Sequence, residues 1–259
     1  SPEICVPTAF LIILLSNEFV AALLSKKTGK PLKITLSREE VFAACYQDHR
    51  MTIEIKTGIK KDGTLIAQQI KVIIDAGAYR GSANIAFSLG YSKTSPVYNI
   101  PNVKHSGIGV YNNKSCCGPK RGHGTPQMVF AIESQLDMIA RDMGFDPVEL
   151  RLKNVRKEGA TLPNGDKLLS CGLTDCIEKA AESAGWEIKR GKTANHGIGI
   201  GVSAAQSGVP VYPYGSTAIV KVNTEGSITL FTGTIELGQA SDTAMCQIAA
   251  EELGVALED

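Results

Sequence analysis

Arg121-Gly122-His123-Gly124-Thr125-Pro126 runs directly into Gln127-Met128-Val129-Phe130-Ala131-Ile132-Glu133-Ser134-Gln135-Leu136-Asp137-Met138-Ile139-Ala140-Arg141-Asp142-Met143-Gly144, and this stretch decides the fold. Met128, Ala131, Ile132, Gln135, Leu136, Ile139 and Met143 recur at three- and four-residue steps, which places them along one face of a helix that begins near Pro126. Gly144 supplies the stop. Asp146-Pro147 then opens a second helix reaching to about Asn154, with the aspartate as cap and the proline at the first helical position. Together the two form a helical layer.

Upstream, Met51, Ile53 and Ile55 alternate with Thr52, Glu54 and Lys56, and the turn Lys60-Lys61-Asp62-Gly63 leads to a second extended run over 64–74. The pair reads as a hairpin with one buried face, and 103–111 reads as a further strand. Nearer the start, Asn17 is placed to cap a helix over 17–28, stopped by Gly29 and Pro31, with a strand at 32–36 after it. Downstream, apolar periodicity lapses over 157–167, which marks a boundary. Beyond it come a helix at 174–184, a strand at 197–204, strands at 217–222 and 227–231 joined by Asn223-Thr224-Glu225-Gly226, and a helix at 241–253. The expected class is α+β, with mixed sheets and packed helices, divided into residues 1–160 and 161–259.

Over 259 residues, 43% hydrophobic and 20% charged, the composition is that of a globular chain. Lys and Arg number 27 against 26 Asp and Glu, so no net field holds the chain to nucleic acid or an anionic membrane. The apolar run over 9–15 falls far short of the roughly 20 residues a membrane-spanning helix needs. Ser1-Pro2-Glu3 is not the basic start of a signal peptide. Seven irregularly spaced cysteines fit a reducing compartment, so a cytoplasmic location is expected, and neither Cys116-Cys117 nor Cys171 with Cys176 has zinc or iron–sulfur spacing.

Two loops carry the chemistry. In Arg121-Gly122-His123-Gly124-Thr125-Pro126 the glycines let backbone N–H groups approach a ligand, Thr125 is placed to cap, and the first helical turn presents partial positive charge. By residue type alone this is either a phosphate seat or an ordinary glycine turn with a good cap. Gly238-Gln239-Ala240-Ser241-Asp242-Thr243 repeats the arrangement and adds the Gln239 side-chain amide, while Asp242 should point aside from any phosphate. The pair makes an extended phosphorylated ligand plausible. Gly185-Trp186-Glu187-Ile188-Lys189-Arg190-Gly191-Lys192-Thr193 is rejected as a P-loop because five residues separate its glycines and a helix precedes it. Gly197-Ile198-Gly199-Ile200-Gly201 lacks the dinucleotide spacing and reads as a strand packed closely at its glycines.

The run from Gly118 to Gln127, the helix segment Ala131-Ile132-Glu133-Ser134-Gln135-Leu136-Asp137, and Asp146-Pro147-Val148-Glu149-Leu150-Arg151-Leu152-Lys153-Asn154 resemble, in order and spacing, landmarks of the xanthine dehydrogenase and aldehyde oxidase family. Ala21-Ala22-Leu23-Leu24, Thr28-Gly29-Lys30-Pro31, Leu36-Ser37-Arg38-Glu39-Glu40, Ile100-Pro101-Asn102-Val103 and Gly233-Thr234-Ile235-Glu236-Leu237-Gly238-Gln239 agree too, so the resemblance covers the chain from Asn17 onward. It implies two partial subdomains of a molybdopterin-binding region, incomplete at both ends. Arg121, Gly122, His123 and Gly124, with Gly238, Gln239, Ala240 and Ser241, would then contact the molybdopterin. His123 would lie near the metal and could hydrogen-bond its ligands. Iron–sulfur clusters and FAD would sit on partner subunits or domains, and the remainder of the molybdenum subunit would be a further partner.

The Arg121-Gly122-His123-Gly124 form, with Ser170-Cys171-Gly172-Leu173 and the 197–211 region, is most similar to 4-hydroxybenzoyl-CoA reductase-type large subunits. Three departures accompany the likeness. The family's glycine-rich loop should fall near 4–10, where there is no glycine; Ala240 replaces a usual glycine; and Leu89 stands where purine-oxidising relatives place an arginine. The family's catalytic glutamate is expected beyond Asp259, so no catalytic or metal-ligating residue is assigned within the chain. The main expectation is a cofactor-binding segment of a multi-subunit oxidoreductase. The alternatives are a truncated remnant that keeps the fold without cofactor, and one half of a split subunit.

Overall fold

The computed structural model describes residues 16–79, 81–118, 121–163, 165–191, 197–203, 217–236 and 238–257, without the side chains of 16–18, 85, 89 and 92–94. The expected position of the glycine-rich loop and the Leu89 side chain fall outside what is described. The chain folds as two units, Ser1–Gln206 and Ser207–Asp259.

The first unit contains α1 (Ser16–Thr28), α2 (Arg38–Ala44), β1 (Met51–Ile59), β2 (Leu65–Gly77), α3 (Ala83–Thr94), β3 (Asn102–Tyr111), α4 (Thr125–Met143), α5 (Pro147–Asn154), α6 (Leu173–Ala184) and α7 (Trp186–Lys189). β1 and β2 form the expected antiparallel hairpin, and β3 pairs with β2 in parallel, giving the order β1-β2-β3. A parallel neighbour can be reached only by a crossover, and α3 is that crossover. The registers set Met51, Ile53 and Ile55 opposite Ile74, Val72 and Ile70, and set those three opposite Gly109, Gly107 and His105. On this face of β3 the glycines make room for a helix. A Cβ at Gly107 would stand 2.2 Å from Phe87 Cε2. The Phe87 ring instead stacks on His105 at 4.3 Å between centroids, and Tyr91 stacks at 4.5 Å.

α4 buries Met128, Ile132, Leu136 and Ala140, as its periodicity requires. Each of the larger three contributes about 1.5–3 kcal/mol by leaving water. Gln135, the polar member of the stripe, is bound to β1: its Nε2 donates to the Ile55 carbonyl at 2.9 Å, and Thr57 Oγ1 donates to its Oε1 at 2.6 Å. Glu133 is the polar hub beneath the helix. It accepts from Tyr98 Oη at 2.6 Å, from Arg151 Nε at 2.8 Å and from the Val202 N–H at 2.9 Å, and Arg151, wholly buried, also pairs with Asp137. Asp146 caps α5 by accepting from the N–H groups of Val148 and Glu149, and its second oxygen accepts from Trp186 Nε1 and pairs with Arg190. That carboxylate therefore ties α7 to the start of α5.

Several expectations are corrected. Residues 31–37 form no strand, because no described strand offers them a partner. Residues 197–203 are not a strand either: Val202 donates to Glu133 instead of a neighbouring strand, and no described atom lies within 4 Å of where a Cβ would stand on Gly197, Gly199 or Gly201. Among the described residues nothing packs closely on those glycines. Thr125 is the first residue of α4 and not its cap; Gly124 takes the cap position, and Thr125 Oγ1 is buried without a hydrogen-bond partner among the described residues. α2, α3 and α7 are not among the expected helices. A Ser37–Glu40 capping box starts α2, a legible signal, whereas α3 has no side-chain cap.

The second unit holds the hairpin β4 (Ala218–Val222) and β5 (Ile228–Thr232), then α8 (Ser241–Leu253), all near their expected positions. Among its described residues none is buried. In the described chain as a whole no helix is long and apolar enough to cross a membrane, no group of side chains could hold a metal ion, and the six described cysteines are free.

Candidate functional site

The entrance to α4 is built by three successive residues in the left-handed region, Gly122 (φ 75), His123 (φ 49) and Gly124 (φ 81). Two glycines relieve most of the steric cost, and His123 bears the rest, about 1–2 kcal/mol for an L-residue. The loop is held against α3 by backbone approach. A Cβ at Gly124 would stand 2.4 Å from the Ala86 carbonyl oxygen, and one at Gly90 would stand 3.1 Å from the Gly124 oxygen. Gln127 braces the other side, its Nε2 donating to the His49 carbonyl at 3.2 Å. His49 is itself buried between the Asp75 carbonyl, 2.7 Å from Nδ1, and Ser82 Oγ, 3.2 Å from Nε2.

No side chain caps α4, and Arg121 is exposed with no ion pair among the described residues. A helix start without a side-chain cap favours an anion, although here the Thr125 N–H donates to the Gly122 carbonyl at 3.0 Å and Pro126 has no N–H to offer. The first unit also has an open cleft of about 510 Å³, whose lining includes Asp48, Arg50, Asp75, Lys114 and Cys117. Burial raises the Asp75 carboxyl, but hydrogen bonds from Gly77 N–H, Asn112 and Lys114 outweigh it and hold the group below its usual range.

The second loop has a different economy of donors. Glu236 Oε1 accepts from the N–H groups of Gly238 at 2.6 Å and Ala240 at 3.0 Å, while Oε2 accepts from Ser241 Oγ at 3.1 Å and the Asp242 N–H at 3.3 Å. Partial desolvation raises the carboxyl, yet the amides of Asp242, Gly238 and Ala240 with the Ser241 hydroxyl bring it below the ordinary glutamate range. Gly238 (φ 96) and Ala240 (φ 60) adopt the turned backbone expected of an anion loop. Gln239 Nε2 donates to the Ile235 carbonyl at 2.7 Å and to Ser241 Oγ at 3.0 Å. Glu236 was not singled out in the sequence; its signal was a carboxylate two residues before the glycine whose amide it takes.

The structure therefore gathers Arg121, Gly122, His123 and Gly124 at one helix entrance and Gly238, Gln239, Ala240 and Ser241 at another, in separate units.

Comparison with known proteins gives the class. Two models described as molybdopterin cofactor-binding domain match residues 13–155 and 179–259. The xanthine dehydrogenase molybdenum-binding subunit of Escherichia coli O157:H7 is 36% identical over 253 residues, covering 95% of this chain and 34% of its own length. The aldehyde oxidoreductase of Megalodesulfovibrio gigas is 31% identical over 251 residues, covering 94% and 28% respectively. Among solved structures, quinoline 2-oxidoreductase from Pseudomonas putida 86 superposes with a TM-score of 0.79 at 26% identity, over 93% of this chain and 34% of that one. The chain belongs to the family of molybdopterin-binding oxidoreductases of the xanthine dehydrogenase and aldehyde oxidase type. It spans about a third of the length of the curated relatives it matches.

Proposed function

We propose that the chain is a molybdopterin-holding segment of a multi-subunit oxidoreductase, with Arg121, Gly122, His123 and Gly124 seating an anionic part of the cofactor at the start of α4. The observation that carries this reading is the entrance itself, three left-handed residues without a side-chain cap, beside an arginine that makes no ion pair among the described residues. When bound, the cofactor supplies molybdenum redox chemistry. This chain's residues would bind and orient: the helix start and Arg121 would offer positive charge to the anion, and the backbone approach to Ala86 and Gly90 keeps the loop from relaxing. Gly238, Gln239, Ala240 and Ser241 are assigned to cofactor contact on family resemblance.

The electron partners in this reading are iron–sulfur and FAD subunits or domains, the assembly is cytoplasmic, and the remainder of a molybdenum subunit completes the site. The Arg121-Gly122-His123-Gly124 form supports a 4-hydroxybenzoyl-CoA reductase-like member. A subdomain boundary within 157–167 falls in the interval between the two matched regions, whereas the compact units divide after Gln206.

The test is metal analysis and pterin fluorescence on protein purified from cells that load other molybdenum enzymes. Molybdenum and pterin in near-equal amounts are expected, with Arg121→Ala lowering both while the far-ultraviolet circular dichroism stays unchanged. Protein free of metal and pterin would instead favour the remnant reading.

A further inference from the structure

The two entrances differ in one respect that resemblance does not disclose: among the described residues no side chain caps the start of α4, whereas the loop before α8 carries its own carboxylate. We propose that Glu236 is a positioning residue that acts as the built-in anion of the second loop, shaping it and barring a phosphate from its amides. The inference rests on the cofactor reading above and divides the labour within it: charge is met at the first loop, and the second serves through neutral groups.

The geometry carries the argument. Both oxygens of Glu236 are engaged, each by two donors, and three of those four donors are the backbone amides an external phosphate would use. Gly238 and Ala240 take left-handed backbone values, which point these amides inward at the carboxylate. Ala240 does so despite its Cβ, so the loop shape must be held by bonds stronger than those between neutral groups. A phosphate arriving here would have to expel Glu236 and then lie beside two carboxylates, those of Glu236 and Asp242. Glutamine at 236 keeps one accepting oxygen but turns an NH₂ towards two donors, so it repairs only half of the network.

Hydrogen exchange of the 236–243 segment in the purified protein tests this. Exchange of the Gly238, Ala240 and Asp242 amides should rise about tenfold or more in Glu236→Ala, and by less in Glu236→Gln. Inorganic phosphate should slow exchange in Glu236→Ala and leave the wild type unchanged. Unchanged exchange in Glu236→Ala overturns the proposal, as does phosphate protection of the wild type or its failure to protect Glu236→Ala. Metal and pterin content is measured separately, so loss of the cofactor reading with an intact exchange pattern would leave the role of Glu236 in the loop standing.

Discussion

His105 shows how a single side chain can set a pH response. Its ring lies between Phe87 and Tyr91, its Nε2 is buried with no hydrogen-bond partner among the described residues, and burial pushes its pKa from 6.5 down to about 4. The folded state therefore prefers the neutral ring, while the unfolded chain takes up a proton already near pH 6.5. Stability is full above pH 6.5 and declines as the pH falls from 6.5 towards 4, by at most about 3 kcal/mol given the size of the shift. Urea midpoints measured across that window should fall in the wild type, and His105→Phe should remove most of the slope. None of this is legible in the strand pattern, which places His105 on the covered face without saying what covers it. Glu236 is a like case: a glutamate near a glycine is ordinary, and only the turned backbone brings four donors onto its two oxygens.

At the scale of elements, α3 is the piece that positions the first loop. Its sequence, with Asn84, Ser88, Gly90 and Thr94, has weak helical preference and no side-chain cap. It forms because the parallel pairing of β2 and β3 demands a crossover and because Ala86 and Phe87 find a glycine-lined surface. Gly124→Ala should be costly on two counts, a left-handed φ of 81 and a Cβ 2.4 Å from the Ala86 oxygen. About 2–4 kcal/mol of stability is expected to be lost, read as a lower urea midpoint, together with the cofactor. Gly107→Ala has ordinary backbone but displaces the Phe87 ring. It should cost about 1–3 kcal/mol and, by opening the stack, move the His105 pKa back towards 6.5, which NMR titration would detect.

Across the molecule the two units are unequal. The first has a continuous core beneath α3 and α4, fastened by the Glu133–Arg151 pair, with α7 tied to α5 through Asp146. The second has a two-stranded hairpin and one helix with no buried residue among those described, although Val220, Val222, Ile228 and Leu230 share one hairpin face. Isolated hairpins are marginal in water, and without burial nothing offsets the entropy of ordering. A peptide spanning 207–259 should therefore show neither a cooperative thermal transition by circular dichroism nor dispersed amide resonances. A sharp melt of that peptide would contradict this account.

What the sequence determined by itself was local: the α4 stripe, the Asp146 cap, the two hairpins, the start of α8 and the family to which these motifs belong. Each is written in spacings of a few residues, where periodicity and turn chemistry act directly. Tertiary structure alone decided the rest. It formed α3 against a pair of parallel strands, left 197–203 outside any sheet by giving the Val202 amide to Glu133, and set the Glu236 carboxylate on the amides of the second loop. Those outcomes depend on which groups meet across space, and hydrogen bonds and burial between distant residues leave no period in the chain.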